Sequence, residues 1–231
     1  LDVGHVANAV GRELRNTDHG AEAYNRHLLQ TAILERFNAS LCDAIMPADE
    51  SDEPPARGQE FIDWLVSRHF FVVPLDATAR WFRYHHLLQQ LMQDQLRRRQ
   101  SPEDIAGLHF RASDWFAEHG FVEDAIRHAI AAGDPAKAGS IVEQNRQLVL
   151  NEDQWYVFER WLPMLPGEII QQSPRLLMTK AWLLYHYFTI PKILPVIEAA
   201  EALLTDLPAD RSVRRRHRRW SSRPAAGWRT A

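Results

Sequence analysis

Between residues 70 and 84 the apolar pattern of this chain changes period once and then changes back, and that interruption constrains the fold most. "FFVVPLDATARWFRYH" holds two runs rich in β-branched and aromatic residues, Phe70 to Leu75 and Trp81 to Tyr84, around a polar turn at Asp76 to Arg80. The pattern predicts a β-hairpin with a longer loop. Pro74 has no N–H to give to a ladder, so its strand is expected at an edge. On either side the period is helical. Tyr24, Leu28, Leu29, Ala32 and Ile33 recur at three and four within Ala21 to Phe37, and a short helix is expected from Ala39 to Met46. Phe61, Ile62, Leu65 and Val66 share one face of "QEFIDWLVSRH". Between these, "PADESDEPPARG" at 47–58 is acidic and proline-rich and reads as a solvated loop. After the hairpin, "HLLQQLMQDQLRRR" places Leu87, Leu88, Leu91, Met92 and Leu96 on one face. It ends in three arginines, where cations suit a helix C-terminus. Helices, a two-stranded wing and another helix are the order of a winged-helix-like domain, expected over residues 1–100.

From Ser101 the chain is helical throughout. "SPED" supplies a capping serine, proline at the first helical position and two early acids. The helix it opens carries Ile105, Leu108, Ala112, Trp115 and Phe116 and is expected to stop at Gly120. "VEDAIRHAIAA" stops at Gly133, and Asp134 with Pro135 starts the next helix. "QWYVFERWLPML", "SPRLLMTKAWLLYHY" and "PKILPVIEAAEALL" continue the series. Such pairs cannot bury their apolar faces alone and stack into α-solenoids, so residues 101–210 are expected to form a tetratricopeptide-like repeat domain. The fold class is therefore mostly α: a winged-helix-like domain with one β-hairpin, followed by a tetratricopeptide-like α-solenoid.

Charge divides the chain unevenly. Eight of its 27 basic residues are arginines of residues 211–231, which contain no acid, so the first 210 residues carry 19 bases against 30 acids, a net of −11. An acidic body opposes phosphate contact and directs any nucleic-acid reading to the tail alone. The tail is made largely of Arg, Ala, Ser and Trp, with Pro and Gly, and lacks Lys, Asp, Glu, Ile and Leu, the composition of a GC-rich gene read out of frame. It is expected to be a basic disordered segment of frameshifted origin, with a basic nucleic-acid arm as the alternative. The run "AWLLYHYFTI" at 181–190 falls short of the roughly 20 apolar residues of a membrane span. The single Cys42 cannot form an internal disulfide, and a cytoplasmic location is expected. The first residue is Leu1, so the chain is expected to be a fragment with an upstream portion elsewhere.

Chemistry-bearing motifs are few. His85 and His86 stand side by side at the start of the helix after the wing. Neighbouring helical residues project about 100° apart, so the two do not converge on one ion as a pair at i and i+4 does. No Gly-x-Ser-x-Gly turn, no phosphate-cradling Gly-x-x-x-x-Gly-Lys-Ser/Thr loop and no Gly-x-Gly-x-x-Gly turn occurs. Neither an enzyme nor a metal site is expected, and the histidine pair reads either as ordinary packing under the wing or as a ligand sensor. The tryptophans, including Trp64, Trp81, Trp115, Trp155, Trp161 and Trp182, are expected in the core.

"LLQTAILERFNASLCDAI", "FIDWLVSRHFFVVPLDATARWFRYHHLLQQLMQDQL" and "LHFRASDWFAEHGFVEDAIRHAIAAGDPAKAGSIVEQ", three blocks in this order, resemble the middle of MalT-like regulators. These are ATP-dependent LuxR-type transcription factors of the STAND class of signalling ATPases, and the likeness covers residues 22–206. The same region also occurs in some bacterial serine/threonine kinases with a STAND-like extension. The resemblance implies a signal-relay and effector-sensing portion of such a regulator, without its own P-loop ATPase or helix-turn-helix module. It implies ATP or ADP only together with that upstream module, so no cofactor is expected in this chain. The implied partners are the P-loop ATPase module and a small-molecule or protein effector at the helical repeats, with DNA reached through a C-terminal module and no membrane contact. "YHHLL" is similar to the Met-His-Asp-Leu-Leu motif of related STAND proteins, whose histidine meets the nucleotide's β-phosphate in the resting state. The match puts His85 in that nucleotide-sensing place, Tyr84 in the methionine's and His86 in the aspartate's. The alternatives are a free-standing helical-repeat interaction module and the C-terminal part of such a kinase.

Overall fold

A computed structural model describes residues 19–46, 57–68, 70–78 and 80–206. The basic tail expected at 211–231 and all but the end of the acidic loop expected at 47–58 lie outside the described residues. Helices α1 (His19–Thr31), α2 (Ala39–Ile45) and α3 (Gly58–Ser67) precede the wing strands β1 (Val72–Pro74) and β2 (Phe82–Tyr84), which lead into α4 (His86–Arg99). Then come α5 (Pro102–Glu118), α6 (Val122–Ala131) and α7 (Pro135–Asn151). The last helices are α8 (Trp155–Trp161), α9 (Gly167–Gln172), α10 (Pro174–His186) and α11 (Ile193–Asp206), with short 3-10 turns at Leu162–Met164 and Ile190–Lys192. The chain divides into two compact units, 1–145 and 146–231, and the division falls within α7. Among the described residues no helix is long and apolar enough to cross a membrane.

The wing is antiparallel, with Val72 opposite Tyr84 and Pro74 opposite Phe82. Phe37 forms a bridge on the far side of Phe82, its N–H and C=O exchanging bonds with those of Phe82 at 2.8 and 2.9 Å. That leaves β1 at the edge, where a proline costs no ladder bond. It also corrects the length expected of the first helix. The helical periodicity runs on to Phe37, but α1 ends at Thr31, because residues 32–37 leave the helix so that Phe37 can join the sheet. Asp76 organises the wing loop: its carboxylate accepts from the amides of Thr78, Arg80 and Trp81 and from the Thr78 hydroxyl, at 2.7–3.0 Å. Those bonds, the Arg80 amide foremost, hold its pKa down to about 2.

Leu28, Leu34, Phe37, Leu41, Phe61, Leu65, Leu88 and Met92 fill the core of the winged helix and are fully buried. Cys42 is buried with them, and burial pushes its thiol far above the ordinary range, which makes it an inert core residue. Thr31 donates to the His27 carbonyl at 2.8 Å and lies 2.6 Å from the Tyr84 hydroxyl. With the single Thr31 proton so engaged, Tyr84 is the donor of the second bond and ties the wing to α1. Asn38 caps α2 through the Leu41 amide. Gly58 opens α3 so close to α2 that its amide donates to Asp43 at 2.6 Å and a Cβ would run into the Ala39 carbonyl.

Ser101, the cap foreseen for α5, forms a reciprocal capping box with Asp104, and Asp134 caps α7 through the Lys137 amide. Gly120 and Gly133 take left-handed φ values of 78° and 77° at the two helix ends. In the second unit α10 packs on α8 and α11 around Phe158, Trp161, Leu176, Leu177 and Ala200. Trp182 departs from the core placement expected of the tryptophans: it is 43% exposed, beside exposed Tyr185 and Phe188. The helical spacing holds, but the α10 face carrying Trp182 has solvent, not a further helix, against it among the described residues. The Gly58→Ala variant is expected to lose about 2 kcal/mol or more of stability in urea titration, because the added methyl meets backbone that cannot rotate away.

Candidate functional site

Tyr84, buried to 3% exposure, fixes the end of β2, and His85 follows as the N-cap residue of α4 in extended conformation. Its N–H donates to the Phe71 carbonyl at 2.7 Å and its C=O accepts the first helical bond, from Gln89, at 3.0 Å. The backbone at His85 is therefore fixed from both sides, while its imidazole makes no capping bond to the first turn. The ring is half-buried, edge-on to Phe71 at 6.5 Å, and His86 is exposed with its ring centroid 4.4 Å from that of His85. Helix α4 is anchored by two glutamines. Gln89 donates to the carbonyls of Ala32 and Leu34 and Gln93 to that of Ala32, at 2.8–3.1 Å, which satisfies the frayed end of α1. Among the described residues no three His, Cys, Asp or Glu side chains gather as a metal site.

A second constellation joins the winged helix to the α5–α6 hairpin. Arg36, on the stretch that leaves α1 for the sheet, donates to Asp124 at 2.6 Å. Its guanidinium lies 5.0 Å from the Trp81 ring centroid and 4.7 Å from that of Phe121. Trp81 meets Phe121 edge-on at 5.2 Å and Trp115 at 6.0 Å. Arg127 reaches Asp124 and, back across the joint, Glu35, both at 3.1 Å. Arg111 donates to the Ile45 carbonyl at 3.1 Å and so satisfies the end of α2. A planar cation held between two aromatic faces and a partly buried carboxylate is a strong contact, since the stacking and the charge-assisted bond act in one geometry.

The third group was not foreseen from the sequence. His109 on α5 and His128 on α6 face each other with their Nδ1 atoms 2.8 Å apart, so one donates and the other accepts. The signal was there: His109 continues the Ile105–Ala112–Phe116 stripe, and His128 falls between Ala125 and Ala129 on the buried face of α6. Burial, with His109 and Arg127 adding to it, pushes the His128 pKa down to about 3, and burial also lowers that of His109. Both are neutral at physiological pH.

A winged helix clamped to a helical hairpin, with further helices following in the sequence, defines a winged-helix and helical-repeat protein. Comparison with known proteins specifies the class. The MalT winged helix domain family matches residues 18–104, so this stretch is a MalT winged helix domain. The chain is 30% identical over 155 residues to the serine/threonine-protein kinase PknK of Mycobacterium tuberculosis, covering 67% of this chain and 13% of the kinase. It is 25% identical over 217 residues to the HTH-type transcriptional regulator MalT of Yersinia enterocolitica, covering 93% of this chain and 23% of the regulator. The chain thus spans less than a quarter of the length of these relatives.

The histidine pair has a measurable signature. Unfolded histidines take up protons near pH 6.5, while folded His128 resists to about 3, so the unfolded state binds more protons between those values and stability falls as pH falls through that window. A His128→Leu variant is expected to flatten the dependence of unfolding free energy on pH between 6 and 4 by ~1.4 kcal/mol per pH unit, one proton's worth, in denaturant titrations.

Proposed function

We propose that this chain is the relay portion of a MalT-like transcriptional regulator. It transmits the nucleotide state of a P-loop ATPase module to the helical repeats, a tetratricopeptide-like sensor that takes the effector. It acts by packing and switching rather than by catalysis, and its partner is the ATPase module rather than DNA or a membrane. The observation that carries this reading is the Arg36 joint. Winged helix and first hairpin share one packed interface, so a displacement of the wing domain is passed to α5 and α6 as a rigid shift.

His85 is the nucleotide-sensing residue of this reading. It caps a helix of 14 residues whose first-turn amides have no side-chain cap, a setting that suits a phosphate oxygen supplied by a neighbouring module. The fixed backbone and an imidazole that makes no capping bond together favour a residue kept for an external contact. His86, exposed beside it, adds a second ring at the same surface. The likeness to PknK supports a second reading, in which the same relay serves a kinase; the joint and His85 keep their roles in both.

The test combines this chain with the P-loop ATPase module of a MalT-like regulator and measures association by calorimetry with and without ADP. Binding that requires ADP and weakens about tenfold in His85→Ala, with the melting temperature of the chain unchanged, is the expected result. ATP turnover by the chain alone, or association indifferent to both ADP and His85, overturns the proposal.

A further inference from the structure

Behind the elbow at Gln100 and Ser101, between α4 and α5, lies a half-open cavity of about 470 Å³. Its apolar wall is Ile33, Leu96, Ile105 and Ala106, and α6 closes it at Ala131. Four segments therefore meet in one concavity: the chain leaving α1, α4, α5 and α6. The volume is that of a small-molecule site, too small for a helix. The polar lining residues are Gln93, Arg97, Gln100 and His109, and no Asp or Glu is among them.

Arg97 is the charged group of the lining, and its present partner is weak. It pairs with Asp94 at 2.7 Å on its own helix, with side-chain exposures of 61% and 58%. An exposed pair of this kind contributes little, so a carboxylate brought in from solution exchanges for Asp94 at small cost. His109 is already bonded to His128 and is neutral, so it offers a polar edge without a charge.

We infer that this cavity is a binding site for a small amphipathic carboxylate, whose anionic head pairs with Arg97 and whose hydrocarbon tail lies against Ile33, Leu96, Ile105 and Ala106. The occupant touches both sides of the elbow at once and so braces the winged helix against the α5–α6 hairpin. Ile33 is three residues from Arg36, so the same stretch of chain lines the cavity and makes the clamp. The site goes beyond the nucleotide relay and stands without it, because ligand uptake is read on this chain alone.

The probe is hexanoate, compared with hexanol and hexylammonium, on the full chain by calorimetry and thermal unfolding. Hexanoate is expected to bind one-to-one with a Kd of about 1 mM and to raise the melting temperature, with hexanol weaker and hexylammonium showing no saturable binding. Arg97→Gln, at an exposed position that leaves the fold intact, is expected to weaken hexanoate about tenfold and leave hexanol unchanged. Ala106→Phe, which fills the cavity, is expected to abolish both. No saturable uptake of hexanoate, or uptake that Arg97→Gln leaves unchanged, overturns the inference even if Ala106→Phe fails to fold. Either failure leaves the ADP-dependent association of the relay untouched, so the two readings are separable.

Discussion

The guanidinium of Arg36 holds the winged helix against the hairpin that follows it, and the rest of the first unit is arranged around that contact. It stacks between Trp81 of the wing and Phe121 at the α5–α6 turn while pairing with Asp124. Arginine suits the place because its planar, delocalised charge is weakly hydrated and can stack and bond together. The residue reaches this position only because α1 stops at Thr31 and the chain swings out to give Phe37 to the sheet. The bridge, the two glutamines from α4 and the Tyr84–Thr31 bond all hold that same turn of chain. Sheet, helix end and interdomain clamp are thus one structure.

Much of this was legible in the sequence where local chemistry decides. The change from helical to strand period announced the wing, Pro74 announced its edge strand, and the Ser101–Asp104 and Asp134 caps with Gly120 and Gly133 placed the helix ends. The end of α1 was not legible, because Leu34 and Phe37 keep helical spacing and are fully buried for a different reason, one in the core and one in the sheet. Periodicity reports that a residue is buried, not which element buries it. Long-range pairs were illegible for the same reason. Nothing local in Arg36, Asp124 or the two histidines His109 and His128 names a partner 88 or 19 residues away. Trp182 shows the converse: an aromatic at core spacing that is 43% exposed.

His85 was singled out from its place at the start of a helix and from a motif likeness, and it proves to be a residue with a fixed backbone and a side chain that caps nothing. In the proposed relay, a fixed backbone with an imidazole that makes no capping bond lets the ring meet a neighbour without unfolding its own helix. The winged helix meets the hairpin through a joint of stacked rings and ion pairs. In the proposed relay the MalT winged helix domain at 18–104 and the hairpin beyond it act as a single body.

That single body is the central claim, and a double-mutant cycle at Arg36 and Asp124 tests it most directly. Urea unfolding of the wild type, Arg36→Ala, Asp124→Ala and the double variant isolates the energy with which winged helix and hairpin are coupled. A coupling of about 1 kcal/mol or more, with all four proteins unfolding through a single transition across 19–145, is the predicted result. Additive losses with separate transitions for the winged helix and the α5–α6 hairpin would contradict it.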